Sequence, residues 1–255
     1  MFNFETALDK SIREITAEVM AVADFDIEDG IIAFTHENID RAILIKSQLP
    51  GIIKKAGYFE TVSKALDDYI AIATERTSAV KGFFDVTSLS GFNKTAIKAI
   101  QAMDYSKLDG VADKFIVGVG EKFINSVATG KQLPTLIDET IKQAENFKNE
   151  ALTQLNTMQN VFRQNLEDQL AEEIGFGEDA DDVWVYQGAP LQANSHKECI
   201  WALTKKAGSP YFTDEEKREF ERGGGILTIQ HSEPRWNCQH NFFMTALTRE
   251  EAGLA

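Results

Sequence analysis

The chain has 255 residues, with 26 Lys plus Arg against 40 Asp plus Glu, a formal net charge of −14, two Cys and 43% hydrophobic residues. This composition excludes collagen-like, low-complexity and disulfide-scaffold proteins, because Gly and Pro are ordinary in number and two Cys cannot staple so long a chain. Strong direct binding to nucleic acid is not expected, since phosphates attract clusters of Lys and Arg and this chain is acidic.

The start of the chain carries Glu5, Asp9 and Lys10 before any apolar run, so we expect no secretory signal peptide. The uninterrupted apolar runs are only a few residues long, whereas a membrane-spanning helix needs roughly 20 apolar residues. We therefore expect no membrane span.

Residues 1–175 show the three- and four-residue spacing of amphipathic helices. The first apolar stripe runs from Phe4 to Val19, and Asp26 to Gly30 is expected to end that helix. Three Gly in the segment after residue 108 weaken the helical pattern there, because each costs a helix interior about 1 kcal/mol relative to Ala. Further helices are predicted over 38–57 with a break at Pro50-Gly51, over 59–80, over 93–103 and over 108–127.

The longest helical pattern covers residues 135–174, between Pro134 and Gly175. At 1.5 Å per residue this helix would extend about 60 Å. We therefore expect an elongated N-terminal part, or a helix that projects onto a partner. The alternative is a helix that is broken once and folded back as a hairpin.

The composition changes near residue 176. All three Trp, both Cys and three of the four His lie beyond it. Residues 183–186 alternate as a β-strand, Thr213 and Glu216 form a capping-box signature, and residues 226–229 read as another strand. We therefore predict an α+β fold, mainly α, with a helical docking domain over 1–175 and a small α+β domain over 183–255.

Two pairs of residues in this second part suggest a metal site. His196 and Cys199 form one pair, Cys238 and His240 form the other, and His231 could replace either histidine. Thiolate and imidazole are the ligands that zinc prefers, so these four residues could hold a structural zinc ion. The alternatives are a contact of Cys199 with Cys238, as reduced thiols or a disulfide, or exposed and unrelated residues. We therefore expect no cofactor, with a structural zinc ion as the alternative.

Catalytic motifs do not fit the chain. No second Cys follows Cys238 two residues on, as a zinc deaminase requires, and His36-Glu37 lacks the second His of a zinc protease. Gly223 to Gly225 is followed by no Lys-Ser/Thr and cannot be a P-loop. A Cys/His nucleophile pair has no third residue to orient it. We therefore predict that the protein is not an enzyme.

Aromatic side chains are frequent in the second part of the chain. They could form a platform that stacks against bases or a ligand, or the core of a small domain. The core interpretation is favoured, because a domain with few long apolar helices needs such residues to fill it. The side chains concerned are Trp184, Trp201, Trp236, Phe242 and Phe243.

Five short elements in this order resemble the C-terminal domain of phage minor head, or head morphogenesis, proteins related to the F protein of phage Mu. The resemblance covers residues 184–243, and no part of it extends into the first 175 residues. Where the family tends to have Arg, this chain has His196 and Gln239. The elements are Trp184-x-Tyr186-x-Gly188-Ala189-Pro190, Ser195-His196-Lys197-Glu198-Cys199, Tyr211-Phe212-Thr213-x-Glu215-Glu216, Gly223-Gly224-Gly225 and Asn237-Cys238-Gln239-His240.

The resemblance implies a structural virion protein of a tailed phage, located in the virion and, during assembly, in the host cytoplasm. Its expected partners are portal, capsid or neck subunits in a multi-copy assembly. It would act at the portal vertex or inside the head, in head assembly or in DNA packaging and ejection. The alternatives are a metal-dependent, nuclease-like enzyme that uses the His/Cys cluster, and an effector injected with the DNA.

Overall fold

The computed structural model describes residues 2–90, 93–177, 181–188, 202, 209–222 and 241–254. These residues form a mainly helical α+β fold with a small antiparallel sheet near the C-terminus, which confirms the predicted fold class. The helices are α1 (Phe4–Val22), α2 (His36–Lys55), α3 (Tyr58–Phe84), α4 (Lys94–Thr129), α5 (Leu133–Ile174) and α6 (Asp214–Arg222). The strands are β1 (Ile27–Glu28), β2 (Ile31–Ile32), β3 (Val183–Gln187), β4 (Tyr211–Thr213) and β5 (Asn241–Thr245).

The chain divides into two compact units. Unit 1 comprises Met1–Asp68 and Gln101–Thr153, and unit 2 comprises Tyr69–Ile100 and Gln154–Ala255. Unit 2 therefore combines the residues of the predicted C-terminal domain with segments of α3, α4 and α5 that the sequence analysis assigned to the helical domain. Within the described residues, no helix has both the length and the apolarity to cross a bilayer.

Unit 1 is built on apolar stripes that recur at helical spacing. All five predicted stripe residues of α1 are buried, and α1 packs against α2. The rings of Tyr58 and Phe147 lie 4.9 Å apart, and Phe115 stacks on Phe147 at 4.7 Å. The Tyr58 hydroxyl donates to the Leu108 carbonyl at 2.9 Å, so its one polar atom is satisfied in the core. Burial raises the pKa of this phenol, with Asp109 adding to the effect.

A short hairpin between α1 and α2 was not predicted. Asp29 and Gly30 both have positive φ angles, +50° and +82°, and they connect the two-residue strands β1 and β2. An Asp-Gly pair with this geometry matches the twist of the two strands that it joins. The buried Asn38 side chain holds the base of the hairpin, because its amide nitrogen donates to the carbonyls of Asp26 (2.9 Å) and Ala33 (2.8 Å).

The predicted break at Pro50-Gly51 is wrong, because α2 continues through Pro50 to Lys55. A proline inside a helix removes one backbone hydrogen bond and costs about 3 kcal/mol or more. Its neighbours Leu49, Ile52 and Ile53 lie on the buried face of the same helix, although Pro50 itself is exposed. Burying each such side chain contributes about 1.5–3 kcal/mol, which is enough to keep the helix intact.

The predicted division into helices over 93–103 and 108–127 is also wrong, because α4 is one helix of 36 residues. Two of its glycines allow close packing inside unit 1. A Cβ atom at Gly118 would lie 2.7 Å from Gln143 Nε2, and one at Gly120 would lie 2.5 Å from Lys46 Cγ. The glycines therefore lower helix propensity at positions where α5 and α2 approach the α4 backbone.

The long helix predicted over 135–174 is confirmed as α5, which has 42 residues. The alternative of a broken helix folded back as a hairpin is therefore wrong. Its second half belongs to unit 2, where Phe162 stacks on Tyr69 of α3 at 4.4 Å. The predicted strand at 183–186 is confirmed as β3, which lies between β4 and β5 in a three-stranded antiparallel sheet.

Candidate functional site

The residues of the predicted zinc or thiol site, His196, Cys199, Cys238 and His240, lie outside the described residues, as does His231. The same is true of Trp201, Trp236, the glycine run at 223–225 and the predicted strand at 226–229. The metal site and the thiol pair therefore stay predictions. In the part of the chain that the structure describes, no group of three or more His, Cys, Asp or Glu side chains could hold a metal ion.

The sheet brings together the described residues that flank these segments. Gln187, the last residue of β3, pairs with Asn241, the first residue of β5. The first residue of β4, Tyr211, pairs with Val185, and the Tyr186 amide donates to the Pro210 carbonyl at 2.9 Å. The chain therefore leaves β3 and enters β4 and β5 at one end of the same sheet.

Aromatic rings fill the core around this sheet. Tyr186 lies 4.8 Å from Phe242 and 5.2 Å from Phe220, and Phe212 lies 5.2 Å from Phe242. Trp184 meets Phe176 edge to face at 5.0 Å. Trp184 and Phe242 are buried, so for these two side chains the core interpretation is confirmed over a stacking platform.

The predicted capping box starts α6. The Thr213 amide donates to Glu216 Oε2 at 2.8 Å, and the Glu216 amide donates to Thr213 Oγ1 at 3.2 Å. Because both partners are satisfied, the direction of the first turn is fixed directly after β4. This start fixes where Lys217, one residue further along the helix, projects from α6.

Lys217 is a buried cation in unit 2 with two carboxylate partners. Its Nζ lies 3.0 Å from Asp168 Oδ1 and 2.9 Å from Glu221 Oε1, and 4.4 Å from the centre of the Trp184 ring. Burial is the largest single influence on the pKa of Lys217 and lowers it, but Glu221 and Asp168 together outweigh burial, so the pKa is raised. For Glu221, burial raises the pKa and Lys217 opposes that effect only in part.

A second buried ion pair joins α3 to α5 in the same unit. The Arg76 guanidinium contacts both carboxylate oxygens of Glu167, with Nη2 at 2.9 Å from Oε2. Arg76 also lies 5.6 Å from the Phe243 ring centre, and its Nη2 is 3.5 Å from the Met244 carbonyl of β5. Burial raises the pKa of Glu167, and the hydrogen bond and charge of Arg76 oppose this shift.

We call the five residues of these three ion pairs the buried ion cluster, and the sequence pattern does not indicate it. The residues are Arg76, Glu167, Asp168, Lys217 and Glu221. Charged residues in a long amphipathic helix normally face water, so Glu167 and Asp168 gave no signal in the pattern of α5. Lys217 and Glu221 are spaced as i and i+4, which is a common surface pattern. The charged groups of the cluster contact one another, so the role of the cluster is structural. It holds α6 and β5 against α5 and α3.

No protein-family model, curated protein or solved structure matches this chain. The resemblance to phage minor head proteins therefore rests on the five sequence elements themselves. Two of those elements include described residues, namely the aromatic element in β3 and the element at 211–216, which spans β4 and the capping box of α6.

Proposed function

We propose that this protein is a structural component of a tailed-phage virion, a minor head protein associated with the portal vertex. Its activity is assembly: the helical N-terminal part docks on portal, capsid or neck subunits, while the small C-terminal module supplies a rigid attachment. The protein acts in head assembly or in DNA packaging and ejection, and it catalyses no reaction of its own.

The order of the resembling elements carries this proposal. The aromatic strand Val183–Gln187 precedes the capping box that begins at Thr213, and Asn241–Thr245 follows the Cys238 and His240 segment. Each element alone is a weak signal, because strands and capping boxes are frequent in unrelated folds. Their order over some sixty residues narrows the choice of family more than any single motif does.

The chemistry of the described residues is consistent with an assembly role. The charged groups of the buried ion cluster have partners, and within the described ranges no group of His, Cys, Asp or Glu side chains could hold a metal ion. Large exposed apolar side chains such as Phe34 remain on unit 1. Structural subunits commonly bury such side chains against their neighbours in stable assemblies.

Particle composition tests the proposal. Gradient-purified particles of the virus that encodes the chain are analysed by quantitative mass spectrometry, beside lysates of a nonsense mutant examined by electron microscopy. We expect a fixed copy number in each particle, and incomplete heads or non-infectious particles from the mutant. Absence of the chain from particles, together with normal infectious yield from the mutant, would overturn the proposal.

The enzyme alternative is tested by metal analysis and nuclease assays of the purified full chain. A metal-dependent nuclease requires stoichiometric metal and an activity that His240→Ala removes, because that residue is one of the predicted ligands. Metal without nuclease activity would support the structural zinc ion instead. An injected effector differs from a resident head protein in one respect: mass spectrometry should find it in full particles and lose it in emptied ones.

A further inference from the structure

Exposed apolar side chains are concentrated in one short part of unit 1. Ten large apolar side chains are exposed among the described residues, and five of them lie between residues 27 and 44. Phe34 is 70% exposed, Ile43 is 52% exposed and Leu44 is 53% exposed. Single exposed apolar residues are ordinary, whereas several within one short segment favour a surface that another molecule covers. The other two members of the group are Ile27 and Ile31.

The two helical members of this group lie away from the core of unit 1. The buried face of α2 runs through Ala42, Ile45 and Leu49. At 100° per residue, Ile43 and Leu44 fall on the opposite side of the helix, where Asp40 lies between them. These two side chains therefore lie outside the buried face that holds α2 in place.

Exposed carboxylates alternate with the apolar side chains along this segment. Residues 24–44 contain six exposed carboxylates and a single Lys or Arg, which is Arg41. Arg41 is itself directed at this segment, because it contacts the Asp24 carbonyl and lies 3.6 Å from Asp26. The segment thus combines exposed apolar side chains with exposed carboxylates; we call residues 24–44 the acidic docking segment and its carboxylates the rim. The carboxylates are Asp24, Asp26, Glu28, Asp29, Glu37 and Asp40.

The backbone of this segment is held in one conformation. Asn38 bonds both the amide and the carbonyl of Asp26, at 2.9 Å each, and the carbonyl of Ala33. Thr35 caps α2 by accepting from the Asn38 amide at 3.1 Å. Because these bonds already fix the hairpin and the start of α2, little binding free energy is lost in ordering the segment when a partner binds.

The charge of the rim selects the occupant. A second copy of this chain would bring another six carboxylates to the same surface and a further net charge of −14, so like charges oppose self-association. A nucleic acid is repelled for the same reason. We propose that the acidic docking segment binds a protein surface with an apolar centre and a rim of Lys and Arg. This inference rests on the proposed function and names the surface through which the helical part docks.

A stable interface buries about 800 Å² on each partner, which is more than Phe34, Ile43 and Leu44 supply. The contact therefore extends over the hairpin residues and the carboxylates of the rim. Apolar anchors in the centre contribute most of the affinity, while charges at the rim mainly increase the association rate and select the partner.

A pair of synthetic helical peptides tests the surface with the full-length chain. One peptide has Leu at helical a and d spacing with Lys at the other positions, and its matched control has Glu in place of Lys. We expect the Leu/Lys peptide to slow hydrogen exchange within residues 24–44 and to bind more weakly as salt is raised, while the Leu/Glu peptide does not bind.

The variant Phe34→Ser/Ile43→Ser/Leu44→Ser should weaken binding of the Leu/Lys peptide by more than about tenfold. Burial of even one of these apolar side chains in the complex would increase the affinity by about tenfold. The matched control Met103→Ser/Ile141→Ser removes two exposed apolar side chains elsewhere and should bind like the wild type. All five positions are exposed, and an unchanged thermal midpoint checks that each variant folds. Equal binding by both variants, or protection outside residues 24–44, would overturn the proposal.

Zero-length cross-linking of purified particles tests the same surface in the assembly. A carbodiimide joins a carboxylate directly to a nearby Lys amine. We expect links from carboxylates of the acidic docking segment to Lys of another virion protein. Links to a second copy of this chain, or links only from other carboxylates, would contradict the proposed occupant. If the chain is absent from particles, the proposed function fails, and the peptide experiment still decides on the surface.

Discussion

The two compact units are stabilised by different chemistry. Unit 1 buries aliphatic and aromatic side chains, and its buried carboxylate Asp104 pairs at 3.0 Å with Lys107, which reaches solvent. Its pair of Lys114 with Glu150 at 2.7 Å is exposed. In unit 2 both a carboxylate and a cation, Glu167 and Lys217, are almost fully covered. An apolar core tolerates many sequences of the right spacing, whereas a buried charge needs one particular partner. Substitutions of charged residues should therefore be much more costly in unit 2.

Removing one partner of a buried pair is the strongest test of this comparison. Glu167→Ala leaves the Arg76 guanidinium without its carboxylate, and breaking such a pair costs about 3–5 kcal/mol of unfolding free energy. The matched change in unit 1, Glu150→Ala, breaks an exposed pair and should cost less than about 1 kcal/mol. Urea unfolding of both variants gives the two free energies.

Tryptophan fluorescence separates the units in this experiment, because all three Trp belong to unit 2. We expect the Glu167→Ala transition to shift in fluorescence, while the Glu150→Ala transition stays near that of the wild type. The double variant Arg76→Met/Glu167→Leu should recover most of the loss, since it leaves no buried charge unpaired. Equal losses for Glu167→Ala and Glu150→Ala would show that the buried pair is not important for unit 2.

Alkaline pH provides a second way to sharpen the comparison. The pKa of Lys217 is raised in the folded protein above its ordinary value of 10.5. Its contribution to stability is therefore fully present below 10.5 and is lost as the pH rises through the folded pKa, because the unfolded chain releases its proton first. We expect unit 2, followed by Trp fluorescence, to lose stability above that pH.

Two variants control the alkaline experiment. Lys217→Met should flatten the alkaline loss measured by Trp fluorescence, since the group that titrates is gone. Tyr58 also has a raised pKa, caused first by burial, and belongs to unit 1. Tyr58→Phe should therefore leave the Trp signal unchanged. An alkaline transition in Lys217→Met identical to that of the wild type would contradict the assignment.

The smallest expected effects compare glycines within α4 of unit 1. A Cβ atom at Gly110 meets nothing within 4 Å, so Gly110→Ala should stabilise the protein by about 0.5–1 kcal/mol. At Gly120 the new atom would meet Lys46 Cγ at 2.5 Å, so Gly120→Ala should give no gain or a loss. In a Lys46→Ala background the gain should return. Thermal midpoints measure all four variants, and an equal gain at both glycines would refute the packing argument.

The helices of both units were predictable where apolar residues repeat at threes and fours. The apolar stripe from Phe4 to Val19 predicted the position and the buried face of α1. The helical pattern over 135–174 predicted α5. The errors came where local propensity conflicted with burial. Pro50 favours a break, yet the buried residues around it keep α2 continuous, and α4 likewise continues between the two helices that were predicted.

The hairpin was a missed signal of a different kind. Asp29-Gly30 lies between Ile27-Glu28 and Ile31-Ile32, and an Asp-Gly dipeptide between two strands is a strong indicator of a two-residue turn. The prediction for these residues was only that they end the first helix. A two-residue strand is too short to show the alternation by which strands are normally identified.

The buried ion cluster could not be predicted in the same way. Arg76 and Glu167 are 91 residues apart, and no local pattern indicates that their side chains meet. The capping box was predictable, because its two partners are three residues apart and their chemistry is local. The predicted ligands His196, Cys199, Cys238 and His240 lie outside the described residues, so for that site the sequence remains the only guide.

The most direct measurement is a reconstruction of the intact particle by cryo-electron microscopy without imposed symmetry. The account predicts helical density for this chain at the portal vertex or on the inner side of the head, with the acidic docking segment against a basic surface of another virion protein. Particles that lack such density, while the chain remains in the soluble fraction of infected cells, would contradict it.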